Sequence, residues 1–70
     1  MITFKFVPGK PIGNYLGNWD RFENCRALFR DKEVVISKVY APYVDVIDSS
    51  TGEYMQNVAN SSIVPLEYNE

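Results

Sequence analysis

Residues 33–48 decide the fold of this 70-residue chain, and they read EVVISKVYAPYVDVID. The runs 33–40 and 43–48 are rich in branched and aromatic side chains that recur with a period of two, which is typical of β-strands. Pro42 lies between them, where the missing N–H donor of proline interrupts a ladder. A polar turn at 49–52 and a third run at 53–58 continue the pattern. Because the links are short, we expect an antiparallel sheet.

The C-terminal residues extend this predicted sheet. Asn60–Ser62 indicates a single helical or 3₁₀ turn, and residues 63–66 indicate a short last strand. The long hairpin, the polar turn with consecutive serines and the short apolar last strand resemble SH3-like small barrels over residues 33–66. We expect a single domain over residues 1–66, followed by a frayed tail at 67–70.

The N-terminal residues predict a strand, a turn and a loop. Apolar residues alternate with polar ones over 2–6, as in a strand with one buried face. Residues 7–10 read VPGK and are typical of a type II turn, in which glycine takes the positive φ. Residues 11–18 hold two glycines, two asparagines and a proline, which predicts an irregular loop. Its apolar Ile12, Tyr15 and Leu16 suggest that this loop packs down or meets a partner.

Residues 20–30 predict an amphipathic helix. Asp20 is a candidate N-cap, and Glu23 three residues later completes a capping-box pattern. Four apolar side chains share one arc of that helix, namely Phe22, Cys25, Leu28 and Phe29. Arg26 and Arg30 are four residues apart and share the solvent side. The predicted fold class is therefore α+β, with a small antiparallel sheet, SH3-like barrel character over 33–66 and one helix near 20–30.

The composition excludes the commonest catalytic and metal-binding machinery. The chain has no histidine and a single cysteine, so it lacks the residues for a zinc finger, an internal disulfide or a Ser-His-Asp set. Cys25 is interpreted as a small core residue. Asp45, Asp48 and Glu53 suggest a magnesium or catalytic carboxylate set, but acids beside a Ser-Ser-Thr-Gly turn commonly cap that turn. We expect no enzymatic activity, no metal and no cofactor.

The charge is divided unequally along the chain. Residues 1–40 hold all seven basic residues and four acids, a net +3, whereas residues 41–70 hold five acids and no base, a net −5. Two arrangements remain open, since the fold either presents two oppositely charged faces or interleaves the halves into a mixed surface.

Arginine and aromatic residues supply the candidate partner-binding site. Both types are enriched at binding hot spots, and guanidinium groups suit acidic protein surfaces and phosphates alike. The candidates are Arg21, Arg26, Arg30, Lys32, Tyr15, Trp19 and Tyr43. The alternative for the basic residues is a solvated helix face, and the alternative for Tyr40 and Tyr54 is closure of the core.

The opening stretch MITFKFVPGK (residues 1–10), the short β-rich form and the absence of histidine resemble a small phage-encoded transcription regulator that binds host bacterial RNA polymerase. The resemblance implies a protein that docks on the largest polymerase subunit, inhibits initiation and promotes terminator read-through. A secondary contact with nascent RNA or DNA is compatible with the basic residues. The other hypothesis is an SH3-like protein-binding or phage assembly module, which recognises a peptide through Tyr40 and Tyr43.

The sequence also predicts where the protein acts. The apolar run at the N-terminus is too short and too polar for a signal peptide. Nowhere does the chain approach the roughly 18 apolar residues of a membrane span. We therefore expect a cytoplasmic protein with no membrane partner, which for a phage protein means the cytoplasm of the host bacterium.

Overall fold

The computed structural model describes residues 5–17, 19–40 and 42–69, which contain one five-stranded antiparallel open sheet. The strands in chain order are β1 (Arg26–Phe29), β2 (Lys32–Tyr40), β3 (Tyr43–Asp48), β4 (Tyr54–Ala59) and β5 (Ile63–Pro65). Across the sheet their order is β4-β3-β2-β1-β5. The helical elements of the described residues are the 3₁₀ turns Ile12–Asn14, Trp19–Phe22 and Asn60–Ser62. Within these residues, no helix has the length and apolarity needed to cross a membrane.

The strands predicted from residue 33 onward are confirmed, and each agrees with its predicted bounds to within one residue. The 3₁₀ turn at Asn60–Ser62 is confirmed as well. In the turn at 7–10, the Lys10 N–H donates to the Val7 carbonyl at 3.1 Å, and Gly9 has the positive φ of 86° that a type II turn requires. Residues 2–4 of the strand predicted over 2–6 lie outside the described residues, and residues 5 and 6 form no regular element.

The helix predicted over residues 20–30 is wrong, because the 3₁₀ turn Trp19–Phe22 leads through three residues of turn and irregular chain into β1. Asn24 has a left-handed φ of 66°, which ends the turn. From there the chain pairs with β2: the Asn24 N–H donates to the Ile36 carbonyl at 2.7 Å, and the Ile36 N–H donates to the Cys25 carbonyl at 2.8 Å. Nor does the capping box form, since the Glu23 carboxylate accepts the Val39 N–H at 3.2 Å.

The core lies between the inner face of the sheet and the N-terminal segment. The sheet contributes fully buried side chains from four strands: Ala27, Val34, Ile36, Val44, Val46 and Ile63. The N-terminal segment covers them with Ile12, Tyr15 and Phe22, and the rings of Tyr15 and Phe22 are 4.9 Å apart. An irregular loop with two 3₁₀ turns thus forms the second layer that we expected from a helix.

Two β-bulges bend the middle of the sheet. The register between β2 and β3 shifts between Ile36 and Lys38, which leaves Ser37 as the extra residue. The register between β3 and β4 shifts at Asp45, which faces two residues of β4. One of these two, Asn57, has a left-handed φ of 59°. Bulges increase local twist and release a backbone group from the ladder, and both effects shape the surface described below.

A tight turn joins β1 to β2. Arg30 and Asp31 have φ values of 52° and 64°, so both lie in the left-handed region, as a type I′ hairpin turn requires. Glycine, asparagine and aspartate normally occupy these positions, so Asp31 suits the turn, whereas a left-handed backbone costs a residue such as Arg30 about 1–2 kcal/mol. The turn therefore carries local strain, which the pairing of β1 with both neighbours outweighs.

The C-terminal tail, for which the sequence predicts fraying over 67–70, makes hydrogen bonds and a ring contact with the N-terminal layer up to Asn69. The Asn69 N–H donates to the Arg21 carbonyl at 2.7 Å, and the Asn69 side-chain amide donates to the Glu23 carbonyl at 2.8 Å. The ring of Tyr68 stacks on Phe6 with a centroid distance of 5.1 Å. The tail thus fastens the N-terminal layer to the end of the chain. Glu70 lies outside the described residues.

Candidate functional site

The side of the sheet opposite the core, here called the outer face, carries a row of apolar side chains. Strand alternation and the register bring together Leu28, Val35, Ile47, Tyr54 and Val64, one from each strand. Val35 pairs with Ile47, Ile47 pairs with Tyr54, and Leu28 pairs with Val64. Four of these side chains are half-buried, and Tyr54 is 50% exposed. Between β1 and β2 the row is offset, because Glu33 lies opposite Leu28 and Arg26 lies opposite Val35.

A buried carboxylate fixes the tyrosines beside this row. Asp45 is 6% exposed, and its two oxygens accept the Tyr40 hydroxyl at 2.6 Å and the Tyr54 hydroxyl at 3.0 Å. The backbone N–H of Asn57, which the bulge releases from the ladder, donates to Asp45 at 3.2 Å. The hydrogen bond from Tyr40 is the main reason that the pKa of Asp45 is lowered, and the same bond raises the pKa of Tyr40.

The side chain of Asn57 completes this network. The Tyr40 oxygen lies 2.6 Å from Asn57 Oδ1 as well as 2.6 Å from Asp45 Oδ1. A hydroxyl has one proton to donate, and the carboxylate is the stronger acceptor. The Tyr40 hydroxyl therefore donates mainly to Asp45, and the Asn57 amide oxygen is the second acceptor within its reach.

The network presents a rigid aromatic surface at one end of the outer face. Tyr43 is 44% exposed and pairs across the strands with Tyr40, whose ring lies 6.3 Å away at an angle of 58°. Because hydrogen bonds hold the hydroxyls of Tyr40 and Tyr54, these rings lose little conformational entropy when a partner binds. Tyr40 and Tyr54 thus belong to the surface and are not the core-closing residues of the alternative interpretation.

The four basic candidates lie in different places because the helix that grouped them is absent. Arg26 lies on the outer face, 57% exposed, and its guanidinium is 3.5 Å from Glu67. Arg30 occupies the exposed β1–β2 turn, with its guanidinium 5.3 Å from the ring centre of Phe29. Lys32 begins β2 and is exposed. Arg21 donates to the Asn69 carbonyl at 3.2 Å, within the contacts that hold the tail.

The three aromatic candidates differ in exposure. Tyr15 is 6% exposed and forms part of the core, so it offers no surface to a partner. Trp19 is half-buried, and its indole N–H donates to the Tyr15 carbonyl at 3.2 Å. Tyr43 is the candidate that lies on the surface. Two exposed residues, Tyr54 and Leu16, are not among the candidates. The alternation of Tyr54 with Met55 along the predicted strand could have indicated that Tyr54 faces outward. The 99% exposure of Leu16 is evident only from the structure.

The two charged halves of the chain are interleaved. Arg26 pairs with Glu67, and Lys38 lies opposite Asp45 in the register and contributes to its lowered pKa. Lys32 contributes in the same way to the lowered pKa of Asp48. The outer face is therefore a mixed surface around an apolar row, and the +3/−5 division does not produce two opposed faces.

The remaining acids and the cysteine serve the fold. Asp48 caps the following turn, because its carboxylate accepts the Ser50 N–H at 2.8 Å, the Ser50 hydroxyl at 2.7 Å and the Thr51 N–H at 3.2 Å. The hydrogen bonds from Ser50 are the main cause of its lowered pKa. Cys25 is 3% exposed, and burial raises the pKa of its thiol. Among the described residues, no three acids or cysteines lie together as a metal site.

No protein-family model, curated protein or solved structure matches this chain.

Proposed function

We propose that this protein is a non-enzymatic binding module that docks on another protein through its outer face. The observation that carries this proposal is the apolar row from Leu28 to Tyr54, bordered by hydrogen-bonded tyrosines and by Arg26. Rigid aromatic side chains around an apolar centre are the features that concentrate binding energy in protein interfaces. The carboxylates of Asp45 and Asp48, the acids considered for a catalytic set, accept hydrogen bonds within the chain, and Asp48 caps the turn that follows it.

The proposed partner is bacterial RNA polymerase, on its largest subunit. This choice is supported by the resemblance of the sequence to a small phage-encoded transcription regulator. In that role the protein acts in the host cytoplasm, inhibits initiation and promotes terminator read-through. The exposed Arg30 and Lys32 at the β1–β2 turn are the residues available for a secondary contact with nascent RNA or DNA, because cationic side chains contact phosphates.

We further propose that the sheet closes as an SH3-like barrel. The link from β4 to β5 supports this closure. Asn60 donates its N–H to the Pro42 carbonyl at one end of β2, whereas Ile63 pairs with Phe29 at the other end. A straight strand with the nine residues of β2 spans about 30 Å, whereas the three residues from Asn60 to Ile63 span at most about 10 Å. A link of three residues between points that lie beside opposite ends of β2 favours a strongly coiled sheet.

Binding measurements with purified polymerase test the function. Immobilised core enzyme and holoenzyme are titrated with the wild-type protein and with Ile47→Lys, which places a charge in the centre of the apolar row. We expect wild-type binding at micromolar concentration or tighter, and at least about tenfold weaker binding for Ile47→Lys, since it removes a buried apolar contact. The matched control is Val7→Lys, at an exposed residue of the N-terminal segment, and it binds within about twofold of wild type.

The possible results separate the parts of this proposal. No wild-type binding at micromolar concentration excludes the polymerase as partner. Equal binding of wild type and Ile47→Lys excludes the outer face. The double exchange of Arg26 and Arg30 to glutamate tests the basic residues, and a loss of affinity of about tenfold identifies at least one of them as a hot spot. Read-through of a terminator, measured with and without the protein, then tests the regulatory effect.

The second candidate function is a peptide-binding or phage assembly module. It is supported by the tilted rings of Tyr40 and Tyr43, which lie 6.3 Å apart, and by the exposed Pro42, which lies between these two residues in the sequence. Extended peptides commonly bind in grooves lined by such aromatic rings. Co-sedimentation with phage structural proteins, together with the absence of polymerase binding, favours this function over the first.

A further inference from the structure

We propose that the tyrosine rings at one end of the outer face bind the guanidinium group of an arginine side chain from the partner protein. Three residues of neighbouring strands form this site, here called the tyrosine cluster: Tyr40 of β2, Tyr43 of β3 and Tyr54 of β4. The register pairs Tyr40 with Tyr43, and the hydroxyls of Tyr40 and Tyr54 donate to the same carboxylate. The inference rests on the proposed function in one respect, namely that a protein docks on this face.

A negative charge lies beneath the tyrosine cluster. Asp45 is 6% exposed, and its oxygens accept the Tyr40 hydroxyl at 2.6 Å, the Tyr54 hydroxyl at 3.0 Å and the Asn57 N–H at 3.2 Å. The hydrogen bond from Tyr40 is the main reason that the pKa of Asp45 is lowered, so the carboxylate is ionised at neutral pH. These three donors are neutral and leave the charge of the carboxylate in place. The site therefore attracts a cation.

The chain supplies few cations of its own to this end of the sheet. Lys38 lies opposite Asp45 in the register and contributes to its lowered pKa. The sequence has no basic residue after Lys38, so β3 and β4 bring none. Where the structure describes a cation over an aromatic ring, the ring is that of Tyr15 or Phe29. A cation from another protein thus complements both the charge and the ring faces of the tyrosine cluster.

Arginine is the side chain that fits this chemistry best. The face of an aromatic ring is negative and attracts a cation above it, and arginine takes such positions more often than lysine. Its guanidinium is planar and weakly hydrated, so it stacks on a ring. Tyr43 offers a ring that is 44% exposed, with the Tyr40 ring 6.3 Å away at an angle of 58°. A phosphate or an acidic peptide does not fit, because the charge of Asp45 repels it.

Two peptides of equal shape test the inference. The protein is titrated at pH 7 and constant ionic strength with acetyl-Ala-Arg-Ala-amide and with the same peptide carrying citrulline, which has the shape of arginine without its charge. Backbone amide signals of residues 40–47 and 54–59 are followed by nuclear magnetic resonance. We expect the arginine peptide to bind in the millimolar range and the citrulline peptide at least about threefold more weakly, since only the first makes a cation–π contact. Equal binding of the two peptides overturns the inference.

Two pairs of variants separate the tyrosine cluster from general attraction to an acidic protein. Tyr43→Leu keeps the net charge and an apolar side chain but removes the ring, so we expect about threefold weaker binding of the arginine peptide. The matched exchange Tyr68→Leu, in the C-terminal tail, stays within about twofold of wild type. Tyr43→Leu binding as tightly as Tyr68→Leu overturns the inference.

The second pair tests the charge. Lys38→Gln removes the cation opposite Asp45, so we expect about twofold tighter binding of the arginine peptide. Lys32→Gln changes the net charge equally at the other end of β2, and its effect is smaller. Equal effects of the two exchanges assign the attraction to net charge alone and overturn the inference.

These titrations contain no polymerase, so their failure differs from failure of the proposed function. If the arginine and citrulline peptides bind alike while Ile47→Lys still weakens polymerase binding, the arginine site is refuted and the outer face is supported. If the arginine peptide binds at the tyrosine cluster and the polymerase does not bind, the arginine site is supported and the polymerase is excluded as the partner.

Discussion

The exchange Ala27→Leu distinguishes the strand β1 from the helix that local sequence patterns favour. Ala27 is fully buried in the structure, and its cross-strand neighbours Val34 and Pro65 are fully buried as well. A leucine adds three carbon atoms where these neighbours leave no space, and such overpacking costs about 1–3 kcal/mol. On a helix over 20–30, residue 27 faces away from the apolar arc, and the same exchange costs less than about 0.5 kcal/mol.

Thermal unfolding, followed by circular dichroism or by fluorescence of the single tryptophan, measures this difference. For a domain of this size each kcal/mol changes the midpoint by about 4–8 °C, so we expect Ala27→Leu to lower it by about 5–20 °C. The total stability of such a domain is about 4–10 kcal/mol, which leaves the variant mostly folded at low temperature.

The matched control is the same exchange at Ala59, an exposed residue of β4. Surface substitutions of this kind change stability by no more than about 0.5 kcal/mol, so the midpoint of Ala59→Leu stays within about 4 °C of wild type. If Ala27→Leu melts with Ala59→Leu, residue 27 is not in the core. That result refutes β1 and the pairing that places β5 beside it.

Three further predictions follow from the buried polar groups. The pKa of Asp45 is lowered by the hydrogen bond from Tyr40, so its carboxylate stabilises the fold above the ordinary carboxyl pKa near 4, and this stabilisation is lost as pH falls through the lower folded value. The urea midpoint of wild type therefore falls more steeply from pH 5 to pH 2 than that of Asp45→Asn, and parallel curves contradict this reasoning. The Cys25 thiol is buried and its pKa is raised, so we expect it to react slowly with a thiol-specific disulfide reagent in native buffer. In urea, which exposes the thiol, we expect the reaction to be fast. A fast reaction in both buffers would show that the thiol is not buried. Removing the hydroxyl in Tyr15→Phe leaves the Val7 backbone groups without this partner and lowers stability by about 0.5–1.5 kcal/mol in urea unfolding, whereas an unchanged midpoint shows that the hydroxyl does not hold the loop.

The strands from residue 32 onward were predictable because their signals are local. Alternation over 33–40 and 43–48, the proline at 42 and the Ser-Ser-Thr-Gly turn each act within a few residues. The cap on that turn was predictable for the same reason, since Asp48 bonds the residues that follow it directly. Strand edges were correct to within one residue because proline and glycine interrupt the pattern sharply.

Segment 20–30 was not predictable, because its residues fit two periods. Phe22, Cys25 and Phe29 suit one side of a helix, while Ala27 and Phe29 suit one side of a strand. The choice depends on partners far along the chain, since β1 pairs with β2 on one side and with β5 on the other. Tertiary pairing overrides a local helical preference of a few tenths of a kcal/mol per residue.

The candidate site shows the same division between residue type and position. The sequence predicts aromatic and basic residues as the binding chemistry, and of these candidates Tyr43, Arg26 and Arg30 lie on the surface. It did not separate Tyr15, which is buried, from Leu16, which is exposed, because both are apolar residues of one irregular loop. Their exposure depends on the path of the loop, and an irregular loop has no repeating sequence pattern that predicts which side chains are buried.

The sequence by itself determined that the chain cannot form a histidine-dependent catalytic set, an internal disulfide or a zinc finger, because it has no histidine and one cysteine. It also determined the antiparallel strands, because side chains suited to the two faces of a sheet alternate along each strand and short turns connect the strands. Only the tertiary structure decided which apolar side chains remain outside the core, how the charged halves interleave and that Asp45 holds the tyrosines of the outer face. These depend on contacts between residues distant in sequence, where packing and hydrogen bonding prevail over local preference.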